Sequence, residues 1–232
     1  MLKAHLSQVA SIIPFSWVDG PGNRFVLFLQ GCNFNCLACH NPQTIPLHTP
    51  LASLMSVHEV LEEIRAAIPY ISGVTVSGGE ATVQFEFVVE LFKEFKRGAE
   101  FAGLTTFIDS NGSAGQHVWE ALAPYTDGVM LDLKALDEES HIALTGSPNT
   151  AVLESIKYLD SIGKLYEVRL LLVPGRNDSD EVLIKTAIWL KSVNPEMKIT
   201  INGFKSHGVR AQARNWPEVC DRDLARYHSI ID

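Results

Sequence analysis

Arg24–Leu29 (RFVLFL) runs directly into Gln30-Gly31-Cys32-Asn33-Phe34-Asn35-Cys36-Leu37-Ala38-Cys39-His40-Asn41-Pro42, and this junction decides how the rest of the chain is read. The first six residues are almost all apolar, with β-branched and aromatic side chains, as in a strand buried on both faces. Just past its C-terminal end three cysteines fall within eight residues. A buried strand followed by unusual, chemistry-bearing residues is the unit that recurs along the chain.

Gly73–Ser77 (GVTVS) precedes Gly78-Gly79-Glu80-Ala81, and Leu104–Asp109 (LTTFID) runs into Ser110-Asn111-Gly112. Gly128–Leu133 (GVMLDL) carries Met130 and Asp132 and leads to Lys134. Val168–Val173 (VRLLLV) holds Arg169 and ends at Pro174-Gly175, and Lys198–Asn202 (KITIN) leads into Gly203-Phe204-Lys205-Ser206-His207-Gly208. Between these strands the apolar period changes to helical. Ser56–Ile71 places Val57, Val60, Leu61, Ile64 and Ile68 on one face and opens with a capping box, Ser56 and Glu59. Phe85–Lys96, Gln116–Ala123, a stretch ending by Ile162 and Asp180–Ser192 are the other helices.

Six βα units predict an α/β fold with a parallel sheet, because parallel strands need helical crossovers. They are too few for a closed eight-stranded barrel and suit an open, partial (βα)6 TIM-like barrel or a doubly wound sheet. Both architectures bind ligands at the C-terminal ends of strands, where the polar and glycine-rich residues lie here. No linker, charge block or repeat interrupts the pattern, so a single domain over residues 1–232 is expected.

Hydrophobic residues make up 46% and charged residues 20%, enough for a sizeable core. Nineteen Lys and Arg against 27 Asp and Glu give a net charge of −8, which argues against a non-specific nucleic-acid binder. No apolar run approaches the roughly 18 residues of a membrane span. The start, MLKAHLSQVASIIPF, is broken by His5, Ser7, Gln8 and Ser11 and makes a poor signal peptide, so the cytoplasm is the expected compartment. The fourth cysteine, Cys220, stands far from the others; a disulfide scaffold is not indicated, and Cys220 reads as a semi-buried structural residue.

Three thiolates spaced C-x3-C-x2-C suit a cubane iron–sulfur cluster in which three irons are protein-bound and one is open for chemistry. The alternative is a structural zinc closed by His40, although zinc ligands generally come as two separated pairs. At the level of residue chemistry both centres remain open.

C-x3-C-x2-C followed by His40-Asn41 and Ser77-Gly78-Gly79-Glu80 resembles the radical S-adenosylmethionine (SAM) superfamily. Asp19-Gly20-Pro21-Gly22 with Arg24, the CHNP run, Asp109-Ser110-Asn111-Gly112, VMLDLK and VPG resemble, in the same order, the glycyl radical enzyme activating enzymes. The type member of that family is the pyruvate formate-lyase-activating enzyme. IIPFSWVDGPGNR and FLQGCNFNC are most similar to its YjjW branch, whose members insert a ferredoxin-like segment after CHNP. Here Gln43–Leu54 is short and cysteine-free, so the likeness is to the single-cluster form, and the C-terminal part after Trp216 also looks short.

The resemblance implies one [4Fe–4S] cluster on Cys32, Cys36 and Cys39, with SAM at the open iron and no catalytic side chain beyond cluster and SAM. Reductive cleavage would give a 5′-deoxyadenosyl radical, which takes a Cα hydrogen from a glycine of a partner glycyl radical enzyme under anaerobic conditions. Flavodoxin or ferredoxin is the implied electron donor, and no membrane or nucleic-acid partner is implied. SAM contacts carry over to Ala38, Cys39, His40, Ser77, Gly78, Gly79, Glu80, Asp132, Lys134, Arg169 and His207. A monovalent cation carries over to Asp109, Ser110, Met130 and Asp132.

Two departures stand out. Ala38 occupies a position often aromatic in the family, which removes stacking on adenine, and the type member's last-strand histidine aligns with Lys205, two residues from His207. The alternative reading of Lys134 and Arg169 is a structural ion pair with Asp132 or Glu167. The competing functions are a radical SAM enzyme with a small-molecule substrate and a zinc-stabilised binding scaffold.

Overall fold

The computed structural model describes residues 6–231. Contacts divide the chain into two compact units: residues up to Asn33 with Gln43–Ser110 and Ala114–Met130, and Phe34–Pro42 with Asn111–Ser113 and Leu131 onward.

The first unit contains β1 (Leu6–Ser16), β2 (Arg24–Leu29), β3 (Ser53–Ser56), α1 (Val57–Ala67), β4 (Gly73–Gly78), α2 (Phe85–Arg97), β5 (Thr105–Ser110), α3 (Gln116–Leu122) and the start of β6 (Gly128–Leu133). Its strands run in the order β3-β1-β2-β4-β5-β6. β2 and β4 are parallel, pairing Arg24 with Gly73 and Leu29 with Gly78, and β4 pairs with β5 in the same sense. The apolar runs are buried as their composition requires: Val26, Leu27, Leu29, Val76 and Ile108 have no exposed surface. Helix α1 starts at the expected capping box, Ser56 accepting from the Glu59 N–H while Glu59 accepts from the Ser56 N–H. Helix α2 buries Phe87, Val88, Leu91, Phe92 and Phe95, with Phe95 stacked on Phe101 at 4.5 Å.

The Asp19-Gly20-Pro21-Gly22 turn is anchored by Arg24, which is fully buried. The guanidinium donates to Thr75 Oγ1 (3.1 Å), Thr105 Oγ1 (2.6 Å) and the carbonyls of Val74 (2.6 Å) and Thr105 (3.1 Å), and lies over the Phe107 ring. Thr75 in turn donates to the Asp19 carbonyl. A buried cation is tolerable only with this density of acceptors. The turn therefore sits where β2, β4 and β5 begin, at the opposite end of these strands from Cys32 and Gly78-Gly79.

Beyond the end of β6, the second unit holds α4 (Glu138–Thr145), α5 (Thr150–Ser161), β7 (Leu165–Leu172), α6 (Asp180–Val193), β8 (Ile199–Gly203) and α7 (Asp221–Ile231). The strand order continues β6-β7-β8, with β7 and β8 parallel from Val168–Ile199 to Leu172–Gly203. Helix α4 is capped by Asp137, which accepts from the Ser140 N–H, and ends at Gly146 with φ of 77°. That left-handed residue splits the helical stretch expected to end by Ile162 into two helices.

All six expected strands are present, with only end residues differing. The structure adds β1 and β3, antiparallel at the margin of the first unit, and α7 in the second. β1 was hidden because much of it is exposed and its register shifts twice, so no clean alternation survives. Of the stretch weighed as a leader, residues 1–5 lie outside the described residues, whereas residues 6–15 form most of β1. No helix among the described residues is long and apolar enough to cross a membrane.

Candidate functional site

In the first unit the polar residues gather beyond the C-terminal ends of β2, β4 and β5. Gly78 has a φ of 133°, and a Cβ on it would lie 2.1 Å from the Leu29 carbonyl oxygen. A Cβ on Gly79 would lie 2.3 Å from the Gly31 carbonyl and 2.5 Å from that of Thr44. Only glycines let the chain pass here. The Gly79 and Glu80 N–H groups donate to the carbonyls of Leu29 and Gly31, fixing the turn against the start of the cysteine run. Glu80 is buried, and its Oε1 accepts from the Thr82 N–H (3.0 Å), Thr82 Oγ1 (2.6 Å) and Ser110 Oγ (2.7 Å). Ser77 Oγ donates to Asp109 Oδ2 at 2.9 Å. Hydrogen bonds thus join Ser77 to Asp109 and Glu80 to Ser110. Met130 is buried on β6, and Cys32 donates its N–H to the Ile45 carbonyl.

In the second unit the segment carrying Cys36 and Cys39 rests on the C-terminal end of α4. The Asn35 and Leu37 N–H groups donate to the carbonyls of Thr145 and Leu144, acceptors that a helix end leaves without intrahelical partners. Burial pushes the Cys36 thiol pKa up, nearby Lys134 pulls it down, and Cys39 and Asp132 push it up again. A metal that takes Cys36 as thiolate therefore displaces a held proton, with Lys134 the neighbouring cation. Lys134 Nζ bonds Asp132 Oδ2 at 2.6 Å, and Arg169 Nε bonds Glu167 Oε1 at 2.6 Å. The ion pairs weighed as the structural role of these cations are both present.

Sequence reasoning missed the braces. Asn177, buried, donates to the carbonyls of Lys134 (2.7 Å) and Leu171 (2.8 Å) and accepts from the Val173 N–H. Asn149 likewise holds the carbonyls of Ala135 and Leu136. Neither has a motif around it that points to this work. Ala38 is buried, His40 bonds the Lys205 carbonyl, and His207 is exposed. Cys220 is exposed, correcting the semi-buried reading: it lies just before α7, where its N–H donates to Asp223.

Cys32, Cys36 and Cys39 are in no disulfide among the described residues, and each is partly buried. Among the described residues no group of three or more His, Cys, Asp or Glu is gathered tightly enough for one metal ion. A cubane makes a different demand, since each thiolate takes its own iron. Three sulfur donors on one run of chain fit that group.

Glu167 offers a pH test. Burial works to raise its carboxyl pKa, but bonds from Lys198 (2.7 Å) and Arg169 outweigh this and hold it below the ordinary carboxylate value. The stabilisation is therefore complete above that ordinary value and is lost as pH falls through the lowered one. Urea midpoints measured from neutrality down to about pH 3 should fall less steeply for Glu167→Gln than for the parent chain. Parallel profiles would contradict the assignment.

The family model of the radical SAM superfamily matches residues 26–187. The pyruvate formate-lyase-activating enzyme of Staphylococcus epidermidis is 38% identical over 219 residues, 90% of this chain and 84% of the relative. A solved domain of a pyruvate-formate lyase-activating enzyme from Bacteroides vulgatus superposes with a TM-score of 0.57 at 20% identity, over 68% of this chain and 92% of that one. A radical SAM methyltransferase from Sphaerobacter thermophilus gives 0.65 at 15% identity, over 90% and 63%. These two structures bear on the fold alone, a mixed α/β arrangement with a parallel-strand sheet, consistent with the partial TIM-like barrel expected from six βα units.

Proposed function

Because this chain belongs to the radical SAM superfamily, and within it to the pyruvate formate-lyase-activating enzyme family, we propose that its two sets of rim residues serve the activation of a glycyl radical enzyme. The chain is an oxidoreductase, and its substrate is a protein. The observation that carries this reading is 38% identity across nine-tenths of the chain and most of the relative's length. When bound, a [4Fe–4S] cluster supplies the electron that cleaves SAM reductively, yielding methionine and the 5′-deoxyadenosyl radical that removes a glycine Cα hydrogen.

Cys32, Cys36 and Cys39 hold three irons of that cluster. The SAM ammonium is a donor-only group. With the Gly79 and Glu80 N–H groups already engaged, Ser77–Glu80 offer it carbonyl and carboxylate oxygens. Lys134 and Arg169 are the cations for the SAM carboxylate, and each exchanges an internal carboxylate partner, Asp132 or Glu167, to take it. Ala38, Cys39 and His40 present backbone to the nucleoside, and the small Ala38 side chain supplies no stacking surface. Asp109, Ser110, Met130 and Asp132 are the proposed set for a monovalent cation. His207 makes none of the internal contacts that fix the other residues. Excluding solvent around a primary carbon radical is the remaining task of the protein.

The electron donor the family resemblance implies is a flavodoxin or ferredoxin, and Cys220 is the one cysteine outside the triad. The chain acts in the cytoplasm, where thiols stay reduced, and its net charge of −8 gives no footing for nucleic acid. Anoxic reconstitution tests the reading: the chain should take up iron with acid-labile sulfide and, with reductant, convert SAM to 5′-deoxyadenosine. A protein that binds zinc, holds no sulfide and leaves SAM intact would overturn it.

A further inference from the structure

The second unit contains a contact set that none of the roles above uses. Residues 204–216, following β8, return to the cysteine segment and grip it on both sides of Cys36-Leu37-Ala38-Cys39. On one side Arg210 reaches Asn35, the residue before Cys36: Nη2 donates to the side-chain oxygen, and Nη1 to the carbonyl at 3.5 Å. On the other, the Nε2 of His40, the residue after Cys39, bonds the Lys205 carbonyl at 2.9 Å. Gly208, with φ of 77°, passes so close to the His40 carbonyl that a Cβ would lie 2.9 Å from it.

The strap is itself stiffened. Phe204 is buried beside the rings of His40 and Trp216, and Arg176 lies 3.5 Å over the Trp216 ring. Asn35 and His40 are therefore bound from a point some 170 residues away in sequence, while α4 holds Asn35 and Leu37 through its terminal carbonyls.

We infer that the strap is a clasp on the cysteine segment, and that Arg210 is a positioning residue that restrains the stretch carrying Cys36 and Cys39 and shields their thiols. The inference rests on the reading of Cys36 and Cys39 as cluster ligands, but its physical content is testable without a cluster. A guanidinium fork on a carbonyl and an amide oxygen of one residue is a bidentate grip that lysine reproduces only in part. Loss of such charge-assisted bonds frees the segment to open.

The test is thiol alkylation of reduced, metal-free protein by iodoacetamide, read by mass spectrometry at Cys36 and Cys39, with exposed Cys220 as internal reference. Arg210→Ala should raise the Cys36 and Cys39 rates about tenfold and leave Cys220 unchanged. Asn35→Ala, which removes only the side-chain half of the grip, should give part of that rise, and the double variant should go no further than Arg210→Ala, as for two halves of one interaction. Arg210→Lys should recover part of the protection. In reconstituted protein Arg210→Ala should also lose its cluster faster in air at unchanged thermal midpoint. Parent-like alkylation in Arg210→Ala, or single effects that simply add, would overturn the clasp; should Arg210→Ala not fold, Asn35→Ala carries the same test. A parent chain that takes up no iron and sulfide would instead refute the activase reading and leave the thiol result standing.

Discussion

Replacing Cys36 with alanine is expected to abolish 5′-deoxyadenosine formation while leaving the fold in place. The segment does not depend on the Cys36 sulfur for its shape: it is held by the backbone bonds Asn35–Thr145 and Leu37–Leu144 and by Arg210 on Asn35. Cys36 is only partly buried, so truncation removes one small sulfur and should cost about 1 kcal/mol or less. On the proposed reading the chemical loss is complete, because Cys36 would be one of only three protein ligands holding the cluster. Iron and sulfide content after reconstitution, 5′-deoxyadenosine yield and the urea midpoint together check this. Cys220→Ala is the matched control and should change none of the three. Parent-level cleavage in Cys36→Ala would remove Cys36 from the ligand set.

Gly78→Ala should destabilise the fold far more than a methyl group added at a glycine with open space around it. Its φ of 133° is a region side chains avoid, and the added carbon would meet Leu29 backbone at 2.1 Å and 2.3 Å. Backbone cannot swing aside as a flexible side chain does, so β2 and β4 must separate locally. The expected cost is about 3 kcal/mol or more. Gly163→Ala separates the two causes: φ there is 67° with nothing within 4 Å, so it carries conformational strain alone and should cost about 1 kcal/mol. Equal urea midpoints for the two variants would show that close approach at Gly78 is unimportant. SAM affinity should fall with Gly78→Ala and stay unchanged with Gly163→Ala.

The contrast between what could and could not be read in the chain has a physical origin. Strands such as Arg24–Leu29 and Gly128–Leu133 were legible because burial on both faces leaves an uninterrupted apolar run. β1 and β3 were not, because they are marginal, largely exposed strands whose side chains answer to solvent as much as to the core. α7 escaped notice for a similar reason: only Tyr227 and Ile231 of its residues are buried.

The candidate site divides in the same way. Cys32, Cys36 and Cys39 stand out by local spacing, and Ser77–Glu80 through the family resemblance. Their supports do not, since Asn177 under Lys134, Ser110 on Glu80 and Arg210 on Asn35 join residues distant in sequence. A family marker can also have a structural task. Asp19-Gly20-Pro21-Gly22 with Arg24 sharpened the family resemblance, yet in the first unit it is a buried-arginine anchor where β2, β4 and β5 begin. Six residues of β2 at about 3.3 Å each separate it from the cysteine run.

Whether the radical is delivered to a protein glycine is decided most directly by electron paramagnetic resonance. Reduced, reconstituted chain should be mixed anoxically with SAM and each glycyl radical enzyme encoded in the source genome. The doublet of a glycyl radical should appear in one of those enzymes, and should vanish when that enzyme's radical-loop glycine is replaced by alanine. Release of 5′-deoxyadenosine at the same rate with no protein substrate, and no doublet in any of them, would contradict the account and point to a small-molecule substrate.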